Sequence, residues 1–262
     1  MATVAPMGTA MAMRMAIRLR MGIRMRTVMI TIMSMVITII TRMSIEMMPT
    51  PHLVTLMQWL SPAYPVGGFS YSHGLEWAVG AGDVTDAAGF QEWLADILEY
   101  GSGRNDAILL AAAYRAPDTA ALHHVDAVAR ALAPSAERLL ETTAQGAAFV
   151  RTTADIWAMD LPTLCYPVAV GRAAALIGVG LEQVLPLYLH GFASNLTGAA
   201  MRLVPLGQTE GQRVLAAMTR LCDLLAQEAL AGDGLDDLGG CTLLADVAAM
   251  KHETQYTRLF RS

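Results

Sequence analysis

Ser70, Ser72, His73 and Glu76 are the residues of this 262-residue chain whose types and closeness come nearest to reaction chemistry. A hydroxyl, an imidazole and a carboxylate are the parts of a nucleophile, a base and an acid. On a continuous helix, however, His73 lies one residue from Ser72 and three from Ser70, and neighbouring positions do not face each other. Capping and packing, or a binding surface, account for these residues better than catalysis does. Gly67-Gly68 just before them allow a sharp reversal and could turn backbone amides toward an anion. No Lys-Ser or Lys-Thr pair follows the glycines, so a nucleotide phosphate loop is not supported.

Other groupings carry less chemistry. His123 and His124 are adjacent, and adjacent helical residues point about 100° apart, which leaves them poorly placed to chelate one ion. Asp233-Gly234-Leu235-Asp236-Asp237 is acidic but lacks the alternating oxygen ligands and terminal Glu of a calcium loop, and reads as solvated. No resident metal or cofactor is expected. The formal net charge of −5 offers no general attraction for nucleic acid or an anionic membrane. Cys165, Cys222 and Cys241 form no Cys-x-x-Cys pair and read as buried small hydrophobes in a reducing cytoplasm.

The elements that would position these residues are helical throughout, so the fold class is all-α. We expect a single-domain bundle of eight to ten helices over residues 49–251, followed by a flexible C-terminal tail at 252–262. His52–Leu60 is a short apolar segment stopped by Ser61-Pro62 and Pro65. A helix is expected over Ser70–Ala81, ended by Gly82. The clearest pattern follows: Phe90, Trp93, Leu94, Ile97 and Leu98 repeat at helical spacing behind Thr85 or Asp86 as cap, and Gly101 and Gly103 end the helix. Further helices are expected at Asn105–Arg115, Asp118–Leu132, Ser135–Thr153 and Gly211–Leu230, with Thr242 capping a last short one. Leu161–Met201 is the most apolar stretch, and a membrane span must be weighed against Pro186, His190, Ser194, Asn195 and Thr197 inside it. It reads instead as a central buried helix, with Gly191 and Gly198 allowing close approach of a neighbour.

Residues 1–48 differ from the rest. Thirteen of the eighteen methionines lie there, among six arginines and a single acid, Glu46. The apolar run Val28–Ile40 is shorter than the ~20 residues a span needs, and no small-residue cleavage site follows it. Met, Ile, Thr and Arg are also what histidine and aspartate codons yield when read one base out of frame. We therefore read the segment as a low-complexity extension, either disordered or a mis-assigned start with translation beginning at Met47 or Met48.

In the tail, Tyr256, Leu259 and Phe260 alternate with Arg258 and Arg261. Such aromatics fit either a segment that orders on a partner or a last stitch of the chain's own fold.

Three separated motifs carry a resemblance. Pro65-Val66-Gly67-Gly68-Phe69-Ser70 leading to His73-Gly74-Leu75-Glu76-Trp77-Ala78, the stretch Met201-Arg202-Leu203-Val204-Pro205-Leu206-Gly207-Gln208, and the tail His252–Ser262 resemble the hallmarks of UreF, a family of urease accessory proteins. The resemblance covers residues 51–262. It implies an all-α fold, a homodimer, and a non-catalytic scaffold. The implied partners are the accessory protein UreD (UreH in some naming), the GTPase UreG and the urease apoprotein. Nickel would be cargo of that assembly and not a bound cofactor; His52, His73, His190 and Cys222 show no ligand spacing for a stable site. Carried over by position, Tyr256, Arg258, Leu259 and Phe260 would contact the UreD-type partner, and Glu76 and Arg202 would belong to the surface that governs UreG engagement. His73 and Arg202 stand where family members often have Gln or Lys; both keep a hydrogen-bond donor.

Overall fold

The computed structural model describes residues 50–261; the low-complexity segment expected at 1–48, with its apolar run Val28–Ile40, lies outside them. Ten α-helices and two short 3-10 turns make up the described chain, and no strand is present among the described residues. The helices are α1 (Thr50–Trp59), α2 (Leu75–Ala81), α3 (Ala87–Tyr100), α4 (Ser102–Arg115), α5 (Thr119–Ala131), α6 (Ala136–Trp157), α7 (Tyr166–Ile177), α8 (Leu181–Leu203), α9 (Gln208–Ala231) and α10 (Leu243–His252).

The hub is α4, which packs on α3, α5, α7, α8 and α9. Its neighbour α3 buries the five residues of the predicted stripe, Phe90, Trp93, Leu94, Ile97 and Leu98, and Asp86 caps it by accepting from the Gly89 amide at 2.9 Å. α4 begins at Ser102, earlier than the spacing predicts. Gly103 therefore sits inside a helix and does not terminate one: a side chain there would fall 2.7 Å from the Leu98 Cα. The apolar stretch 161–201 forms two helices, α7 and α8, separated at Gly178, so the expected single central helix is corrected. Burial on most sides erases the periodicity that would mark the break. Close approach is not made at Gly198, whose surroundings are open, nor tightly at Gly191; Gly171 of α7 lies instead against the Leu110 carbonyl of α4.

Aromatic residues are few but contiguous. Trp59 at the end of α1 meets Phe149 and Trp157 of α6 edge to face, each at 5.5 Å. Phe149 continues to Tyr166 at 5.9 Å, and Tyr166 to Tyr188 at 5.7 Å. Each such pair adds about 0.5–1.5 kcal/mol beyond burial. The row leads from α1 into a polar interior between α4, α6 and α8. Cys165 and Cys222 are buried as expected, while Cys241 is exposed. His123 and His124 both face outward. No described helix is long and apolar enough to cross a membrane.

Candidate functional site

The residues before α2 do not continue a helix from Ser70. Gly68–Ser70 is one 3-10 turn, Tyr71 is extended, and His73 and Gly74 both lie in the left-handed region, at φ 55° and 76°. Two consecutive left-handed residues cannot sit in a right-handed helix, so α2 starts at Leu75 and the expected helix over Ser70–Ala81 is corrected. Gly74 is needed twice over: for its positive φ, and because a Cβ would fall 2.5 Å from the Ala249 amide nitrogen of α10.

This turn and α10 create a cleft that receives residues 253–261. Glu76 accepts from the Leu259 amide at 2.6 Å through Oε1 and from the Phe260 amide at 2.9 Å through Oε2. The Arg261 amide donates to the Ser70 carbonyl at 2.8 Å. Glu137, in the first turn of α6, accepts from Arg258 at 2.6 Å. His252, the last residue of α10, is wholly buried between two carboxylates, its Nδ1 2.7 Å from Glu137 and its Nε2 3.1 Å from Glu76. Glu253 accepts from the Ala136 amide at 2.8 Å, so the segment also caps α6. Phe260 is buried, with the Arg202 guanidinium over its ring at 4.3 Å. The tail is thus an arm laid along its own chain, held by charge-assisted contacts, which are the stronger class of hydrogen bond.

A second polar group lies just inside. Arg138 donates to His73 Nδ1 at 3.0 Å and to Glu141, and all three are buried. Gln145 donates to Glu141 at 2.9 Å. Burial, with the positive charge of Arg138 adding to it, holds the His73 pKa well below the usual imidazole range, so the ring is neutral and its Nδ1 accepts. Asp106 of α4 accepts from the Tyr188 hydroxyl at 2.8 Å, and burial pushes its carboxyl up to about 6.

The residues singled out from sequence are therefore brought together, in an arrangement the sequence did not suggest. Glu76, Arg202, Arg258 and Phe260 form one clasp, with Glu76 and Arg202 holding the arm on which Arg258 and Phe260 lie. Tyr256 and Leu259 point away from it, exposed at 103% and 69%. Ser70 contributes its carbonyl, and Ser72 is sealed from solvent, its Oγ accepting from the Glu76 amide at 3.3 Å. His73 and Glu76 have separate partners, Arg138 for one and the arm for the other. No group of three or more His, Cys, Asp or Glu side chains suited to a metal ion occurs among the described residues. Glu137, Arg138 and Asp106 escaped the sequence reading. Glu137 looks like an ordinary acid in a helix's first turn, and nothing local marks a pairing with His252 across 115 residues.

Fold and site together define an all-helical protein whose most elaborate polar construction holds a C-terminal arm. Comparison with known proteins specifies the class. A family model for UreF matches residues 84–219. The chain is 52% identical over 218 residues to a urease accessory protein UreF of Ruegeria pomeroyi, covering 82% of this chain and 100% of that protein. It is 54% identical over 216 residues to the UreF of Roseobacter denitrificans, covering 82% and 96%. A UreF of Rhodopseudomonas palustris is 53% identical over 222 residues, covering 80% and 93%. The chain belongs to the UreF family of urease accessory proteins.

Proposed function

We propose that this protein is a non-catalytic scaffold that joins a UreD/UreH-type protein and the GTPase UreG on urease apoprotein while nickel is inserted. The observation that carries this reading is the arm. Its backbone is tied to Glu76 and Ser70 and its Arg258 side chain to Glu137, yet Tyr256 and Leu259 project into solvent. α10, which leads into it, also leaves Leu243, Leu244, Val247 and Met250 exposed. Large apolar side chains on an anchored backbone are a binding surface whose ordering cost is already met. Tyr256 and Leu259 contact the UreD-type partner directly; Arg258 and Phe260 fix the arm that presents them. Glu76 and Arg202 serve the UreG-facing surface by holding the same arm. Nickel is cargo and not a resident cofactor, the working form is a homodimer, and the setting is the cytoplasm.

The alternative, a helical enzyme using Ser70 or Ser72 with His73 and Glu76, is weakened by the partners that Ser72, His73 and Glu76 already have. A neutral imidazole whose Nδ1 accepts from Arg138 has little basicity left for a serine.

Tyr256→Ala with Leu259→Ala tests the scaffold reading without disturbing the clasp. Co-purified with the UreD and UreG proteins of its own host, the doubly substituted chain should keep its fold and lose the UreD-type partner, and urease activation should fall with it. Undiminished partner retention and urease activation, or turnover of a substrate by the isolated chain, would overturn the proposal.

A further inference from the structure

The polar interior carries a charge imbalance that the scaffold reading does not use. Arg138 is a single guanidinium already committed to Glu141, and His73 is neutral. Asp106 is a further carboxyl in the same interior. It lines two cavities of about 40 and 80 Å³, and Arg138 and Thr142 line both with it. The titratable and charged groups around Asp106 come from five elements. Tyr188 of α8 donates to it, and Tyr166 of α7 lies near. Arg138 and Glu141 reach in from α6, and His73 from the turn before α2. Cys241 and Asp246, just before and on α10, line the second cavity, where Thr242 holds the Asp246 carboxyl. With Asp106 ionised, the guanidinium has two buried carboxylates to serve and one contact already spent on His73. With Asp106 protonated, it has one. Tyr188 and Gln145 give Asp106 and Glu141 neutral donors, but an ionised carboxylate in this interior attracts the guanidinium and a protonated one does not, so the two states favour different positions of Arg138.

Those positions bear on the arm. His73 is a non-glycine residue at φ 55°, a conformation that costs on the order of 1 kcal/mol or more and persists only when its surroundings impose it. Arg138 is the donor that holds its ring. His73 lies three residues before Glu76, and Arg138 directly follows Glu137. The two residues of the interior pair are thus continuous in backbone with the two carboxylates that clasp residues 258–260.

We propose that Asp106 operates a proton-driven switch on the arm: protonated, it leaves Arg138 on His73 and Glu141 and the arm held; ionised, it draws the guanidinium across the shared cavity, releases the His73 turn and loosens the arm. This goes beyond the partner reading, and its failure would leave that reading untouched.

The test is amide hydrogen exchange of Leu259, Phe260 and Arg261 in the full-length chain between pH 5 and 7.5, corrected for intrinsic exchange rates. Protection should fall about tenfold as pH rises through about 6, the equivalent of losing one charge-assisted contact. Asp106→Asn should stay protected throughout, and Asp246→Asn should keep the transition. Tyr188→Phe removes a hydrogen bond that favours the ionised form and should move the midpoint to higher pH, which keeps the test available if the Asp106 variant does not fold. Protection that is flat with pH in the unsubstituted protein, or an unchanged transition in Asp106→Asn, or a midpoint unmoved by Tyr188→Phe, would overturn the proposal.

Discussion

The guanidinium of Arg202 lies over the ring of Phe260 at 4.3 Å while its Nη2 donates to the Phe69 carbonyl at 2.7 Å. One side chain near the end of α8 thus joins the arm to the turn that precedes α2. The three motifs by which the sequence resembles its family, far apart in the chain, meet at this point.

Arg202→Ala should open the arm without unfolding the body. A cation over a ring contributes about 0.5–2 kcal/mol, and a charged hydrogen bond to a carbonyl a similar amount. The Arg261 amide, bonded to Ser70, should therefore exchange about tenfold faster or more, while the urea midpoint hardly moves because the opening is local. Arg202→Lys should restore only part, since an ammonium cannot stack as a plane. Unchanged exchange at Arg261 would show that Arg202 does not hold the arm.

Glu137 has a larger role, because it faces His252, which has no exposed surface, and Arg258 together. Glu137→Ala should destabilise the whole protein by about 3–5 kcal/mol, the usual effect of removing one partner from a buried pair. His252→Ala in the same chain should recover part of that loss, because no buried imidazole is then left facing a missing carboxylate. Strict additivity of the two substitutions in urea unfolding would argue that the pair is not coupled.

Legibility from sequence followed the physics of each element. The buried stripe of α3 was fully readable and its cap narrowed to Thr85 or Asp86, because a one-sided amphipathic stripe and a capping side chain are local signals; of the two glycines expected to end it, Gly101 does and Gly103 does not. The break between α7 and α8 was not readable, because helices buried on most sides lose the polar face that reveals period and ends. The left-handed His73 was equally hidden. A non-glycine residue takes that conformation when tertiary contacts such as the one with Arg138 impose it, and those contacts come from 65 residues away. Of the clasp residues, Glu76, Arg258 and Phe260 stand out by residue type in their own segments and Arg202 through family resemblance alone, and their mutual contact emerged only in three dimensions.

Gly74 and Gly198 should respond oppositely to alanine. At Gly74 the positive φ costs about 1–2 kcal/mol for an L residue, and the collision with the α10 backbone adds about 1–3 kcal/mol. Gly74→Ala should therefore lose about 2–5 kcal/mol and release α10 and the arm together. Gly198 sits inside α8 with open space around it, so Gly198→Ala should be neutral or stabilising by up to about 1 kcal/mol. Thermal or urea unfolding of the two variants decides; similar losses would mean that the packing of α10 on the turn is not what selects glycine at position 74.

Asp106 and His73 should mask each other in the pH dependence of stability. The Asp106 pKa is raised in the folded protein to about 6, so the folded state holds this proton more tightly than the unfolded chain does. Its contribution is therefore favourable in acid and is lost as pH rises from about 4 through about 6, an effect of up to about 3 kcal/mol for a shift of this size. The His73 pKa is lowered, so below about 6.5 the unfolded chain takes up a proton that the folded protein refuses, and stability falls with acidification. The two slopes have opposite sign over the same window. Asp106→Asn should unmask His73: the variant gains stability at pH 7.5 and loses it more steeply than the parent toward pH 5. His73→Asn, chosen because Asn tolerates the left-handed region, should do the reverse, its stability rising relative to the parent as the pH falls. Urea unfolding at half-unit intervals between pH 5 and 7.5 measures both differences, and parallel curves for the parent and the two variants would mean that neither group titrates as its surroundings dictate.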